Sequence, residues 1–197
     1  MSMTLNKNRK SYIHFIRHGL TEGNLRRWYY GSTDLPLAPE GIEALVTLRD
    51  AGVYPPLGDA DCYTSGMLRT EQTFQTIYGD VPHKALPLMK EMNFGTCECK
   101  TFDELKTMDF FDDWINDKTG TIAYPSGDSI ESFGARIRQG LAEFRGLHQM
   151  KELSQYSLDA SYVKVPGETV AGEHHDEYVV DEEKLSRLLV DILYTRK

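Results

Sequence analysis

An α/β domain with a largely parallel sheet is the fold this sequence predicts, and three observations predict it. Short apolar runs rich in β-branched and aromatic residues alternate with helix-length segments. The helical stretches carry apolar residues at steps of three and four, most clearly Ile130, Phe133, Ile137, Leu141, Phe144 and Leu147. Finally, Arg17-His18 and Thr64-Ser65 fall at the carboxyl ends of predicted strands, where open α/β sheets bind ligands.

The elements follow in order. Residues 1–10 are polar and read as a flexible leader, with 11–197 as a single domain. Tyr12–Ile16 is the first strand. Residues 19–38 read as a long loop broken by Gly23, Gly31, Asp34 and Pro36. Pro39-Glu40-Gly41 opens a helix to about Asp50, with Ile42, Leu45, Val46 and Leu48 apolar; Ala51-Gly52 ends it and Pro55-Pro56 blocks resumption. Asp61–Thr64 is a second strand. Ser65 is expected to cap a helix from about Met67 to Tyr78, which Gly79 terminates. His83–Leu86 is a third strand. Residues 87–127 are irregular, with short helices near Phe102–Lys106 and Asp109–Asn116. Asp128 or Ser129 caps the long helix that follows. Tyr162–Val165 is a fourth strand, 166–183 is acidic and poor in structure signals, and Glu182–Tyr194 is a last amphipathic helix.

Composition excludes several classes. The chain has 197 residues, 40% hydrophobic and 26% charged, as expected of an ordinary globular domain. A net charge of −8 argues against nucleic acid or an anionic membrane as partner, since both favour a basic face. An anionic ligand must be held by a local basic cluster. The sequence holds no apolar run of about 18 residues, and its N-terminus lacks the apolar core of a signal peptide, so a cytoplasmic location is expected. Cys62, Cys97 and Cys99 fit a reducing compartment. Cys97-Glu98-Cys99 has no matching Cys or His pair at zinc-like spacing and reads as ordinary thiols.

The chemistry starts at Arg17-His18-Gly19, at the end of the first strand. A strand stopping there delivers a nucleophilic imidazole and a fixed positive charge to one point, the pairing that phosphoryl transfer needs. A neutral imidazole can attack phosphorus, and neighbouring arginines help keep it neutral. Arg17 and Arg69 are the candidate clamps, because guanidinium offers paired planar donors that match phosphate oxygens and never loses its charge. Arg69 also lies near a helix N-terminus, which favours anions. Glu91 is the candidate general acid for the leaving alkoxide. Thr21, Asn24, Tyr30 and Gly31 complete the expected substrate-contacting set, with Asn24, Tyr30 and Gly31 offering amide and backbone donors. Arg26 and Arg27 read equally as charge at the pocket mouth or as solvated loop residues.

Five blocks together resemble the histidine phosphatase superfamily, in its phosphoglycerate mutase-related branch, and most of all small bacterial phosphatases of the α-ribazole phosphatase kind. They are Arg17-His18-Gly19-Leu20-Thr21-Glu22-Gly23-Asn24, Gly31–Leu37 with Gly41, Thr64–Thr73, Glu91–Glu98, and Gly127-Asp128-Ser129 with Phe133 and Arg136. The resemblance covers about residues 12–145. It implies a single three-layer domain, a mostly parallel sheet with helices on both faces, and a phosphohistidine on His18. It further implies Arg17 and Arg69 as phosphate ligands, Glu91 as proton donor, a small phosphorylated metabolite as substrate, and neither metal nor organic cofactor.

The sequence departs from the family pattern at Leu20 and Gly23, and more sharply downstream. The family has a second His-Gly pair after a late strand; here Tyr162–Val165 runs into Pro166-Gly167-Glu168, and no His-Gly follows Gly19. His148, His174 and His175 are the candidates to replace that histidine, and 146–197 is atypical for the family. Three readings follow: a phosphomonoester hydrolase, a catalytically impaired relative that binds a phosphorylated ligand or partner, and a phosphoglycerate mutase-type phosphotransferase.

Overall fold

The structure, a computed structural model, describes residues 12–148 and the backbone of two later strands. In chain order its elements are β1 (Tyr12–His14), α1 (Glu22–Leu25), β2 (Trp28–Tyr29), α2 (Pro39–Asp50), β3 (Tyr63–Thr64), α3 (Leu68–Tyr78), β4 (Lys84–Ala85), β5 (Lys100–Thr101), α4 (Phe102–Leu105), α5 (Phe111–Ile115), α6 (Ile130–Leu147), β6 (Ser157–Asp159) and β7 (Tyr178–Val179). Single 3-10 turns lie at Pro87–Met89 and Gly95–Cys97.

Strand pairing follows the predicted βα logic at two places. β1 runs parallel to β6, with Tyr12 opposite Ser157 and His14 opposite Asp159. β3 runs parallel to β4 across α3. β6–β7 and β2–β5 are antiparallel, so among the described residues the strands form three short sheets rather than one. The partner of β1 is a polar stretch with Leu158 as its one apolar residue, so periodicity gave it no signal. The expected strand Tyr162–Val165 and helix Glu182–Tyr194 lie outside the described residues. Among those described, no helix is long and apolar enough to cross a membrane.

The helices form where local chemistry predicts, with one exception at a cap. α2 starts on Pro39 and ends before Gly52, whose φ of +71° turns the chain while its N–H reaches the Arg49 carbonyl at 2.9 Å. Ser129 caps α6 in a reciprocal box with Ser132. Ser65, by contrast, does not cap α3. Gly66 turns the chain at φ +77° and leaves Ser65 two residues short of the cap position, held by Met67. The Leu68 N–H instead donates to the Asp34 carboxylate, 2.7 Å away, from a distant loop. The 19–38 loop is also more ordered than predicted: Thr21 and Asn24 form a capping box that starts α1, and β2 follows.

Two apolar clusters fix the helices. Phe133, Ile137 and Leu141, spaced four apart on α6, bury against Tyr29, Phe94, Phe111, Trp114 and Tyr124. Each such side chain contributes about 1.5–3 kcal/mol on burial. Leu45 of α2 and Ile77 of α3 meet in the second cluster with Leu37 and Tyr54. Leu147, predicted on the apolar stripe of α6, is exposed.

A polar cluster ties β3, α3 and the approach to β4. Glu71 accepts from the Thr64 hydroxyl and from His83 Nε2, the latter at 2.6 Å, while His83 Nδ1 faces the Val81 carbonyl at 2.9 Å. Both ring nitrogens meet acceptors, so the imidazolium is the form that fits. The Val81 contact and then Glu71 raise the His83 pKa above its ordinary value of 6.5, against the effect of burial. This pairing therefore stabilises the fold fully below about pH 6.5 and fades as pH climbs through the raised value. Thermal melts of wild type and His83→Gln should differ most below about pH 6.5 and draw together as the pH rises above it; a gap that does not change with pH would contradict the assignment.

Candidate active site

His18 lies in the segment just beyond β1, which ends at His14 and not at Ile16 as expected. Its Nδ1 lies 2.7 Å from the Gly19 carbonyl oxygen. A carbonyl only accepts, so Nδ1 carries the proton and Nε2 presents its lone pair. The imidazole is partly buried, and its pKa falls to about 3, first through lost hydration, then through the Arg69 charge and to a smaller degree Arg17, against the Gly19 contact. The ring is thus neutral across the physiological range, with its Nε2 lone pair free of a proton.

Arg69 is brought to His18 by α3. Its side chain is 2% exposed, the most buried charge among the described residues. Nη2 donates to the Gly31 carbonyl at 2.9 Å and Nη1 to the Thr33 carbonyl at 3.2 Å, with the guanidinium 5.3 Å from the Tyr30 ring centre. Its Nε has no hydrogen-bond partner, and among the described residues no carboxylate pairs with it. Leaving a buried charge uncompensated costs on the order of 3–5 kcal/mol, so the geometry favours an anion arriving here. Arg17 is partly buried beside His18, close enough to lower its pKa.

One turn along α3 from Arg69, the buried Thr73 hydroxyl accepts the Gly19 N–H at 2.9 Å and donates to the Arg69 carbonyl at 2.7 Å. The Gly19 residue is therefore held at its nitrogen by α3 while its oxygen orients the imidazole. Thr73 lies within the Thr64–Thr73 block, and its place one helical turn after Arg69 is the sequence signal for this role.

Glu91 sits against the loop at Gly31, where an added Cβ would meet the Met92 carbonyl oxygen at 1.8 Å and Glu91 Cγ at 2.8 Å. Only glycine admits that approach. Arg69, Arg17 and Glu91 all act electrostatically on the Tyr30 hydroxyl, whose pKa burial raises. Gly31 does not offer its backbone donor to a ligand: its N–H goes to the Glu98 carboxylate, at 3.0 Å. Thr21, Asn24 and Tyr30 are likewise turned toward one another. Asn24 Oδ1 accepts from the Thr21 N–H at 2.9 Å and from the Tyr30 hydroxyl at 2.8 Å, and Thr21 is wholly buried. Their hydrogen bonds brace the loop under the site. Arg26 is exposed and paired with Glu22 at 2.6 Å, and Arg27 is exposed at φ +57°.

Glu98 is the residue sequence reasoning missed. Its carboxylate accepts backbone N–H groups from Gly31, Ser32, Thr33 and Phe94, all within 3.1 Å. Burial alone would raise its pKa, but these donors outweigh it and hold the carboxyl below its ordinary range. A lone acid flanked by two cysteines and an apolar turn was the signal. His148 does not approach His18: its Nε2 lies 2.8 Å from the Tyr63 hydroxyl and its Nδ1 3.7 Å from Asp61. His174 and His175 lie outside the described residues.

His18 just beyond β1, the buried Arg69 that meets no carboxylate among the described residues, and Glu91 across the Gly31 contact together make the site. The family model for the histidine phosphatase superfamily (branch 1) matches residues 13–154. The chain belongs to the histidine phosphatase superfamily. It is 29% identical over 173 residues to human 6-phosphofructo-2-kinase/fructose-2,6-bisphosphatase 4, covering 80% of this chain and 36% of that protein. The chain thus spans little more than a third of the first curated relatives it matches. It is 26% identical over 142 residues to the adenosylcobalamin/α-ribazole phosphatase of Salmonella typhimurium, covering 70% of this chain and 69% of that one. Among solved structures it is similar to an Escherichia coli protein described as a candidate α-ribazole-5′-phosphate phosphatase, with TM-score 0.58 and 25% identity over 70% of this chain and 67% of the other. The fold is the phosphoglycerate mutase-like α/β fold of this superfamily.

Two measurements check the geometry. Long-range 1H–15N NMR should find His18 neutral, protonated on Nδ1, from about pH 8 down to about pH 5; a midpoint above about 6 would contradict the burial and charge described. Thr73→Val keeps the side chain's shape but removes the acceptor for Gly19, and should cost about 1–3 kcal/mol of stability by denaturant unfolding. An unchanged midpoint would show that the Gly19 contact carries no weight.

Proposed function

We propose that this chain is a phosphomonoester hydrolase acting on a small organic phosphate through a phosphohistidine on His18. The observation that carries the reading is Arg69: a buried guanidinium with no carboxylate partner among the described residues, whose field already acts on a neutral imidazole. The family's α-ribazole phosphatase relatives are in keeping with it.

On this reading Arg69 and Arg17 grip the non-bridging oxygens of the phosphoryl group. His18 Nε2 attacks phosphorus; the P–N bond forms as the bond to the leaving oxygen breaks, and Glu91 gives that oxygen its proton. Water then attacks the phosphohistidine, the Glu91 carboxylate takes its proton, and inorganic phosphate leaves with His18 neutral again. The anion between the two arginines offsets their charge, so the imidazole can bear positive charge in the intermediate that it cannot bear in the free protein. No step calls on a metal.

A second reading, a slow relative that mainly binds phosphate esters, is favoured by one observation. His83 and His148 are both held by other partners, and no His-Gly pair follows Gly19 in the sequence.

The test uses 4-nitrophenyl phosphate and phenyl phosphate without added metal. The proposal expects turnover of both, abolished in His18→Ala, and an acid-labile phosphoenzyme trapped in wild type. Glu91→Gln should fall about a hundredfold or more on phenyl phosphate, whose leaving group has a pKa of about 10, and little on the nitrophenyl ester. Phosphate binding without turnover would replace the first reading with the second.

A further inference from the structure

The Glu91 segment is irregular chain between a 3-10 turn and a second one, with no strand or long helix of its own to hold it. What holds it is a side chain from α6. Arg136 Nη1 donates to the carbonyls of Leu88 at 3.1 Å and Lys90 at 2.7 Å, and Nη2 donates to the Glu91 carbonyl at 3.0 Å and to Asp128 Oδ2 at 3.1 Å. Asp128 continues the grip. The same Oδ2 accepts the Asn93 N–H at 2.9 Å, and the Asp128 N–H donates to the Asn93 carbonyl at 2.8 Å. The backbone is thus tied to α6 at Glu91 itself and on both sides of it. Below the guanidinium lies the Phe133 ring, 5.1 Å from its centre, which keeps the fork facing the loop.

This arrangement is more than a helix brace. A planar guanidinium with four acceptors has little freedom to shift, and the pair is only about one-quarter exposed. The Glu91 carboxyl closes back on its neighbour's N–H, with Oε1 2.8 Å from the Met92 nitrogen. One hydrogen bond of its side chain thus goes to the backbone that Arg136 holds, with the close glycine contact at Gly31 on the other side. We propose that Arg136, backed by Asp128, is a positioning residue that sets the Glu91 carboxyl toward the leaving-group oxygen. The inference rests on the reading of Glu91 as the acid. It predicts that loosening the clamp weakens proton donation while leaving nucleophilic attack by His18 intact.

Leaving-group dependence separates this from a purely structural role. In Arg136→Met, kcat on phenyl phosphate should fall by about tenfold or more, with kcat on 4-nitrophenyl phosphate changed by less than about twofold and KM for both nearly kept. Arg136→Lys, which keeps the charge but not the fork, should recover part of the loss on phenyl phosphate. Asp128→Asn, milder toward the fold, should shift the two esters apart in the same direction, and it decides the matter if Arg136→Met does not fold. Equal losses on both esters, or no loss on either, overturn the inference. Glu91→Gln in the same assay keeps the two failures apart. If Glu91→Gln discriminates between the esters and neither clamp variant does, only the positioning role falls. If Glu91→Gln does not discriminate, or wild type turns over neither ester, the acid role falls and the inference with it.

Discussion

The Thr73 hydroxyl joins two stretches of chain more than fifty residues apart, taking the Gly19 N–H and giving its proton to the Arg69 carbonyl. Each bond is worth only about 1 kcal/mol net to the fold. Their positional effect is larger. The Gly19 nitrogen is fixed to the helix that carries Arg69, and the Gly19 oxygen selects which nitrogen of His18 is protonated. His18 and Arg69 are thereby both referenced to one turn of α3. The apolar face of that helix, through Phe74 and Ile77, sets where the whole assembly sits.

Charge follows a second route. The chain is acidic overall, yet its buried arginine meets no carboxylate directly among the described residues. Glu98 and Arg69 are instead coupled through the peptide group between Gly31 and Ser32. Its N–H, from Ser32, donates to Glu98 at 3.0 Å, and its carbonyl, from Gly31, accepts from Arg69 at 2.9 Å. The dipole of that peptide points its positive end at the acid and its negative end at the guanidinium. The acid thus steadies Arg69 without neutralising it at close range. An ion pair in direct contact would cancel the field that lowers the His18 pKa and would compete with an incoming anion.

This division explains what was legible in the sequence. The helices of α2, α3 and α6 follow from local periodicity, from Pro39 and Gly52, and from the Ser129 cap, all of which act within a few residues. His18, Arg69 and Glu91 stood out because each falls in a dense motif. The bracing did not. Asp34 caps α3 from another loop, Glu98 gathers four N–H groups from two segments, and β2 pairs with β5 across seventy residues over two residues each. Such contacts depend on how loops close in space and leave no period to read. For the same reason Thr21, Asn24, Tyr30 and Gly31 looked like donors awaiting a ligand. Their types suit that task equally well, and only the fold shows that Thr21, Asn24 and Tyr30 satisfy one another while the Gly31 N–H goes to Glu98.

The missing His-Gly pair can be weighed on the same physical terms. Removing one preorganised donor from a developing charge costs about 2–4 kcal/mol, or roughly a hundred- to a thousand-fold in rate. Against that stands the retained Arg69, whose burial makes each of its interactions with an anion stronger than at a hydrated surface. His18 itself would lose nothing on the proposed reading, since its neutrality comes from burial and from the two arginines rather than from another histidine. The deficit would therefore fall on stabilising the transferring phosphoryl group, not on attack or on protonating the leaving oxygen. On the proposed reading such a site would slow both half-reactions together, while its affinity for phosphate, set chiefly by the guanidinium groups, would be largely kept.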